Sequence, residues 1–159
     1  MRAAICPGSF DPITFGHLDI ITRTSKMFDK LYVAVLSNSA KKPSFTVDER
    51  MEMIRKCTSD ISNIEVCTFD GLLASFAKRN DIMTLVKGLR AVSDFEYEFQ
   101  MALANKKLNH EMETIFLPTS AEYMFLSSSI VKEIARNGGS IQEFVPAAVL
   151  SDIEKRLCR

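Results

Sequence analysis

Residues 5–17, ICPGSFDPITFGH, decide how the rest of the chain is read. The stretch leaves an apolar strand (Ala3, Ala4, Ile5, Cys6), passes Pro7-Gly8, Asp11-Pro12 and Gly16, and enters HLDIITRTSKMF, which has helical spacing. A strand, a glycine-bearing turn and a helix start are the usual layout of a phosphate site in an α/β protein. The unpaired N–H groups and positive dipole end of the helix face the anion there. Gly8 is expected to let the backbone approach a ligand, and Gly16 to clear space beside His17. His17 is one of two histidines and falls in the first turn of that helix. Taken alone, Asp11-Pro12 is an ordinary turn and His17 an ordinary helix-surface residue. The glycine and proline placement of the whole string weighs against that plain reading.

The 159 residues predict one domain spanning 1–159, large enough to bury a substantial core. A 47% hydrophobic and 25% charged composition is that of a globular protein. Formal net charge is zero, so nothing global points to nucleic acid or to a membrane surface, and cations for any polyanionic ligand must be clustered locally. No apolar run approaches the length of a membrane span, and the apolar start is too short for a signal peptide. Cys6, Cys57, Cys67 and Cys158 form no C-x-x-C pair and read as reduced thiols of a cytoplasmic protein.

Working outward, KLYVAVLSN (30–38) predicts a second buried strand, and Lys41 and Lys42 follow just past its C-terminal end, where open α/β sheets bind ligands. Loop lysines are usually just solvated. Position raises these two to candidates. Thr46 with Glu49 three residues on forms a capping box, so a helix starts there, with Met51, Ile54 and Cys57 as its expected buried stripe. NIEVCTF (63–69) is a third strand and residues 70–80 a short helix, in which Leu73 is core or faces a pocket. DIMTLVKGLR (81–90) is a fourth strand ending in Gly88 between the cations Lys87 and Arg90, an arrangement suited to an anion. The helix of residues 91–109 is expected to be capped near Ser93 or Asp94. Phe95, Tyr97 and Phe99 do not share one face of it, which implies more than one neighbour, and Glu98 reads as a surface carboxylate. ETIFLPT (113–119) is a fifth strand, and Ser127, Ser128 and Ser129 precede a further helix that Gly138-Gly139 stops. Pro146 starts the last helix.

Five strands alternating with helices predict an α/β fold, a five-stranded parallel, doubly wound Rossmann-like sheet. Residues 8–17, 37–42, 87–90 and 119–129 each fall just after a predicted strand, which puts all four at the carboxyl edge of the sheet.

Thr14-x-Gly16-His17 resembles the (H/T)xGH signature of the nucleotidyltransferase superfamily. Four blocks, PGSFDPITFGH, KKPSFT.DER, KGLRAVSDFEYEFQMA.AN and EYMFLSSSIVKE, resemble bacterial phosphopantetheine adenylyltransferase in order and spacing over nearly the whole chain. The last two blocks are specific to that family. The resemblance implies transfer of AMP from ATP to 4′-phosphopantetheine, giving dephospho-CoA and pyrophosphate, with Mg²⁺ and a homohexamer built as a dimer of trimers. It also names coenzyme A as a candidate inhibitor. By the same resemblance His17, Lys41 and Arg90 are catalytic. Ser9, Phe10, His17, Gly88, Leu89, Arg90, Glu98, Tyr123, Met124, Phe125, Leu126, Ser127, Ser128 and Ser129 take ATP, and Ser9, Lys41, Leu73 and Lys87 take the acceptor. No protein ligand to a metal is implied. The chain departs from the family at Lys87, where arginine is usual. The charge stays and the bidentate fork is lost. Ser9 replaces threonine and Leu73 replaces methionine, both mild changes.

Two rivals remain on sequence grounds. One is a related small adenylyl- or cytidylyltransferase with another acceptor. The other is a nucleotide-binding regulator without chemistry. The charge of His17 is open too, because a helix start disfavours the imidazolium and phosphates favour it.

Overall fold

The computed structural model describes residues 1–37 and 42–158. Five strands, β1 (Ala3–Gly8), β2 (Lys30–Leu36), β3 (Ile64–Phe69), β4 (Thr84–Leu89) and β5 (Glu113–Pro118), form one parallel sheet in the order β3-β2-β1-β4-β5. Helices α1 (Phe15–Ser25), α2 (Val47–Cys57), α3 (Leu73–Arg79), α4 (Val92–Leu108), α5 (Ser128–Arg136) and α6 (Ala147–Leu157) connect and cover it.

Both faces are covered, as the strand pleat requires. Ala4 and Cys6 of β1 join Leu31, Val33 and Val35 of β2 in one buried cluster, which α1, α2, α5 and α6 complete through Ile21, Ile54, Val131 and Ile153. The alternate residues Ile5 and Ala34 enter a smaller cluster with Ala74 and Ala77 of α3, Leu85 and Met112. The sheet is therefore doubly wound, as its alternating pattern predicts.

The chain enters at the centre of the sheet and winds outward through β2 and β3, then returns past β1 to β4. The reversal point lies between β1 and β4. Pairing of those two strands extends only through Ala4–Thr84 and Ile5–Leu85, although both run on for several residues. β1 with β2 and β4 with β5 stay paired to their ends. The carboxyl ends of β1 and β4 thus part to open a crevice, the place where such sheets bind ligands.

Helix ends follow the local chemistry. The capping box at Thr46 is present on both sides: Thr46 Oγ1 accepts the Glu49 N–H at 3.2 Å, and Glu49 accepts the Thr46 N–H at 2.8 Å. The expected stripe of α2 faces the core: Ile54 is buried, and Met51 and Cys57 pack against the same cluster, half-buried. Met53 and Arg50 are buried beside it, and an arginine is a residue that hydrophobicity would never assign there. α5 ends in a Schellman motif, with Gly138 at φ +79° donating to Ala135 O and Gly139 to Ile134 O. The N-cap of α4 is Ala91 rather than Ser93 or Asp94. Asp94 is instead held by Arg90. α6 begins one residue after Pro146, which is its N-cap.

Candidate active site

The turn after β1 is built by contacts its sequence makes with itself. Phe10 has φ +48°, a left-handed conformation uncommon for a bulky residue, and is 2% exposed. Its ring lies under Gly8, where an added Cβ would sit 2.9 Å from it. Gly8 therefore makes room for Phe10, a different duty from approach to a ligand. A Cβ on Gly16 would meet Thr14 Oγ1 and Tyr123 at 3.6 Å, ordinary contacts, so that position does not require glycine to clear His17. A Cβ on Gly88 would stand 2.7 Å from Ile20 Cγ1, so Gly88 lets α1 press against the end of β4.

His17 is the third helical residue of α1 and closes a capping box with Thr14. Thr14 Oγ1 accepts the His17 N–H at 3.4 Å, and the Thr14 N–H donates to His17 Nδ1 at 3.1 Å. A backbone N–H can only donate, so Nδ1 is the acceptor and the neutral ring carries its proton on Nε2. The Phe10 ring meets the imidazole edge to face, centroids 5.1 Å apart. Burial, then the charges of Arg90 and Lys87, lower the His17 pKa from 6.5 to about 4. At neutral pH His17 is an uncharged Nε2–H donor beside two cations.

Those cations are themselves held. Arg90 grips Asp94 through Nε at 2.9 Å and Nη2 at 3.2 Å, and donates Nη1 to Leu126 O at 2.9 Å. Lys87 pairs with Glu98 at 3.1 Å, both about one-fifth exposed, so Glu98 is no simple surface carboxylate. The loop before α5 closes the other side. Ser127 is the N-cap and accepts the Ile130 N–H, Ser128 Oγ donates to Pro12 O at 2.7 Å, and Ser129 is exposed. One serine caps, one ties the two loops together, and the third is left facing solvent.

The structure thus gathers Ser9, Phe10, His17, Lys87, Gly88, Leu89, Arg90, Glu98 and residues 123–129 at the parted ends of β1 and β4. Leu126 contributes its carbonyl, and its side chain is core at 3% exposed. Tyr123 stacks on Phe15, and Phe125 meets Phe144. Leu73 opens α3 and packs, half-buried, on the smaller core cluster. Lys41 lies outside the described residues. A cavity of about 490 Å³ lies elsewhere, between α2 and α6, and its lining charges Glu49 and Arg156, and Lys56 and Asp152, are paired with one another.

Three residues have duties at this edge that the sequence reading does not assign. Thr14 is read there only as the first residue of the (H/T)xGH signature, while in the structure it caps α1 and orients His17. Asp11 reads as a turn residue but is 6% exposed and accepts from Ser44 N–H, Phe45 N–H and Lys132. Burial would raise its pKa, but those three donors outweigh it and hold the carboxyl below its usual range. Arg50, 3% exposed, donates to the carbonyls of Ser9, Leu36, Phe45 and Thr46. No sequence pattern marks an arginine whose partners are all backbone.

The fold and this edge define a nucleotidyltransferase. The cytidylyltransferase-like family model matches residues 5–134, and the chain belongs to that family. Among solved structures, the Plasmodium falciparum nicotinic acid mononucleotide adenylyltransferase complexed with NaAD superimposes with a TM-score of 0.69 at 16% identity, covering 97% of this chain and 95% of that one. A Vibrio parahaemolyticus chain gives a TM-score of 0.73 at 16% identity over 96% of this chain and 99% of its own. These two likenesses establish the fold. Within the class, the phosphopantetheine adenylyltransferase of Caldanaerobacter subterraneus subsp. tengcongensis is 61% identical over 94% of this chain and 93% of its own length. That of Clostridium botulinum strain Eklund 17B is 55% identical over 98% of each. The chain is a member of the phosphopantetheine adenylyltransferase family.

Proposed function

We propose that the chain moves the adenylyl group of ATP onto the phosphate of 4′-phosphopantetheine, and that the edge between β1 and β4 is where it happens. The observation that carries the reading is His17, held neutral with an Nε2–H that has no partner among the described residues, next to Lys87, Arg90 and the start of α5.

A phosphate oxygen of the acceptor attacks the α-phosphorus in line. The new P–O bond forms as the bond to the bridging oxygen breaks, and pyrophosphate leaves with that electron pair. The acceptor needs no general base, because a phosphomonoester already carries its second negative charge near neutral pH, with a pKa of about 6. The protein's work is to hold two repelling anions in line and to meet charge on the α-phosphoryl oxygens. His17 donates Nε2–H to that group. A donor that is already neutral and already oriented by Thr14 loses no proton during the step and needs no reorientation. Lys87 and Arg90 supply positive charge, and the N–H groups at the start of α5 face the phosphates. Lys41 joins them on the strength of its place in the KKPSF block.

Mg²⁺ enters with the nucleotide in this reading. Among the described residues no cluster of three or more His, Cys, Asp or Glu could hold a metal. The carboxylates nearest the site, Asp11, Asp94 and Glu98, are each paired with a cation. That donor set fits an ion carried by phosphate oxygens and water, whose chemistry is to neutralise phosphate charge. The assembly proposed is a homohexamer. Support comes from α4, whose Tyr97, Leu103 and Leu108 stand 64%, 57% and 57% exposed, an apolar helix surface that a single chain leaves uncovered. Coenzyme A is the proposed inhibitor, since it contains the product's pantetheine and adenylyl parts. No helix among the described residues is long and apolar enough to cross a membrane, and the four cysteines are free, in keeping with a cytoplasmic enzyme.

The test is pyrophosphate release from ATP with and without 4′-phosphopantetheine. Release that requires the acceptor supports the reading. Nucleotide binding without release makes the chain a regulator, and release with a different acceptor moves it to a sister activity.

A further inference from the structure

We propose that the Asp11–Lys132 ion pair is a positioning device for the transfer reaction, fixing the turn that leads into His17 against the start of the helix that carries Ser128 and Ser129. The inference rests on the reading of the site given above.

Asp11 lies in the turn between β1 and α1. Lys132 lies in α5, four residues after Ser128 and so on the same face of that helix. Lys132 Nζ stands 2.9 Å from Asp11 Oδ2, with the side chains 21% and 8% exposed. Alongside it, Ser128 Oγ donates to the carbonyl of the next residue, Pro12, at 2.7 Å. Two ties thus join α5 to neighbouring residues of the turn after β1. The remaining capacity of Asp11 goes to the N–H groups of Ser44 at 3.0 Å and Phe45 at 2.9 Å, which draws in the segment before α2. From the other side Arg50 Nη1 reaches Ser9 O at 2.7 Å and Leu36 O at 3.1 Å. Apart from the Arg50–Leu36 bond, which ends on the last residue of β2, each joins the turn after β1 to α5 or to the segment that opens α2.

A buried ion pair is a poor way to gain stability, since desolvation cancels much of the attraction. It is a good way to fix geometry, because removing Asp11 leaves Lys132 without its carboxylate, and removing Lys132 leaves Asp11 held only by the Ser44 and Phe45 N–H groups. Lys132 spends one of its three donors on Asp11, and in this proposal its influence on the reaction passes through the segments it joins. A shift of about 1 Å between reacting groups is enough to cost on the order of 10²-fold in rate.

The experiment measures steady-state transfer with ATP and 4′-phosphopantetheine for the full chain and its Lys132→Met, Lys132→Arg and Asp11→Asn variants, with thermal unfolding alongside. Lys132→Met should lower kcat by roughly 10- to 100-fold while KM for ATP moves less than about threefold. Lys132→Arg, which can still reach the carboxylate, should recover most of the kcat. Asp11→Asn should resemble Lys132→Met, and the double variant should lose little more than either alone. A KM for ATP that rises as far as kcat falls would make Lys132 a phosphate ligand and overturn the proposal. Unchanged kcat, no recovery with arginine, or additive losses would overturn it too. If both charge-removing variants fail to fold, the pair is a stability element and the proposal falls. A wild-type chain that transfers nothing defeats the reading of the site itself, whereas an active wild type with indifferent variants defeats the tie alone.

Discussion

The turn that follows β1 and the α4 side of the molecule are built to opposite standards. Around β1, polar groups in the turn meet partners within the chain: Asp11 has three donors, Arg50 has four carbonyls, and Thr14 and His17 satisfy each other. The core beneath is continuous through Ile13, Ile21 and Val33. Around α4, apolar side chains from Phe95 to Leu108 stand in solvent. The neighbouring Asn109 Nδ2 is the one buried side-chain polar atom without a partner among the described residues. The difference teaches which part of the site one chain can preorganise. The donor and the first phosphate loop are fixed internally. Glu98, and Lys87 through it, depend on a helix whose apolar side chains this chain leaves exposed.

Replacing His17 by alanine tests the braced side at its most sensitive point. Turnover should fall by roughly 10²- to 10³-fold, by analogy with loss of one oxyanion donor, with little change in thermal stability. Near-normal turnover would remove His17 from the chemistry. Arg50→Met tests the brace itself. It abandons four carbonyls, and equilibrium unfolding should show a loss on the order of 3 kcal/mol. A loss below about 1 kcal/mol would mean that water replaces the guanidinium at no cost and that the edge is not tightly braced.

The capping box at Thr46, the glycine stop of α5, the alternation of strand and helix and the strand-end location of every candidate loop are legible from residues alone, because each rests on a local rule. What the sequence conceals is what the fold brings together from a distance. Asp11 and Lys132 are 121 positions apart, and Arg50 looks like any charged residue on an amphipathic helix until the Ser9 and Leu36 carbonyls arrive beside it. Gly88 shows the same limit. Between two cations it reads as an anion site, and nothing in that local pattern shows that its missing Cβ also makes room for Ile20.

That contact gives a prediction at the boundary between the two regions. Gly88→Ala should push α1 from β4 at a cost of about 1–3 kcal/mol and slow turnover, and Ile20→Ala in the same chain should recover part of the rate. No recovery would return Gly88 to the ligand. On the α4 side, Leu103→Glu should leave the fold of the single chain within about 0.5 kcal/mol, since the residue is exposed. In size-exclusion with light scattering it should release species near 17.9 kDa from the proposed assembly. A variant that stays assembled would place the interface elsewhere. The last prediction is one of pH. The folded-state pKa of His17 is depressed, so between pH 6.5 and about 4 the unfolded chain binds more protons. Stability is complete above pH 6.5 and declines as pH falls through that window, and His17→Gln should flatten this part of the curve.

The central claim is a neutral His17 whose free proton sits on Nε2. It is tested most directly by ¹⁵N NMR of the imidazoles, with His110→Gln to separate the two histidines. The account predicts an Nε2–H ring with Nδ1 accepting a hydrogen bond, titrating near pH 4 in the unliganded protein. An Nδ1–H tautomer, or a ring that titrates near 6.5, would contradict it.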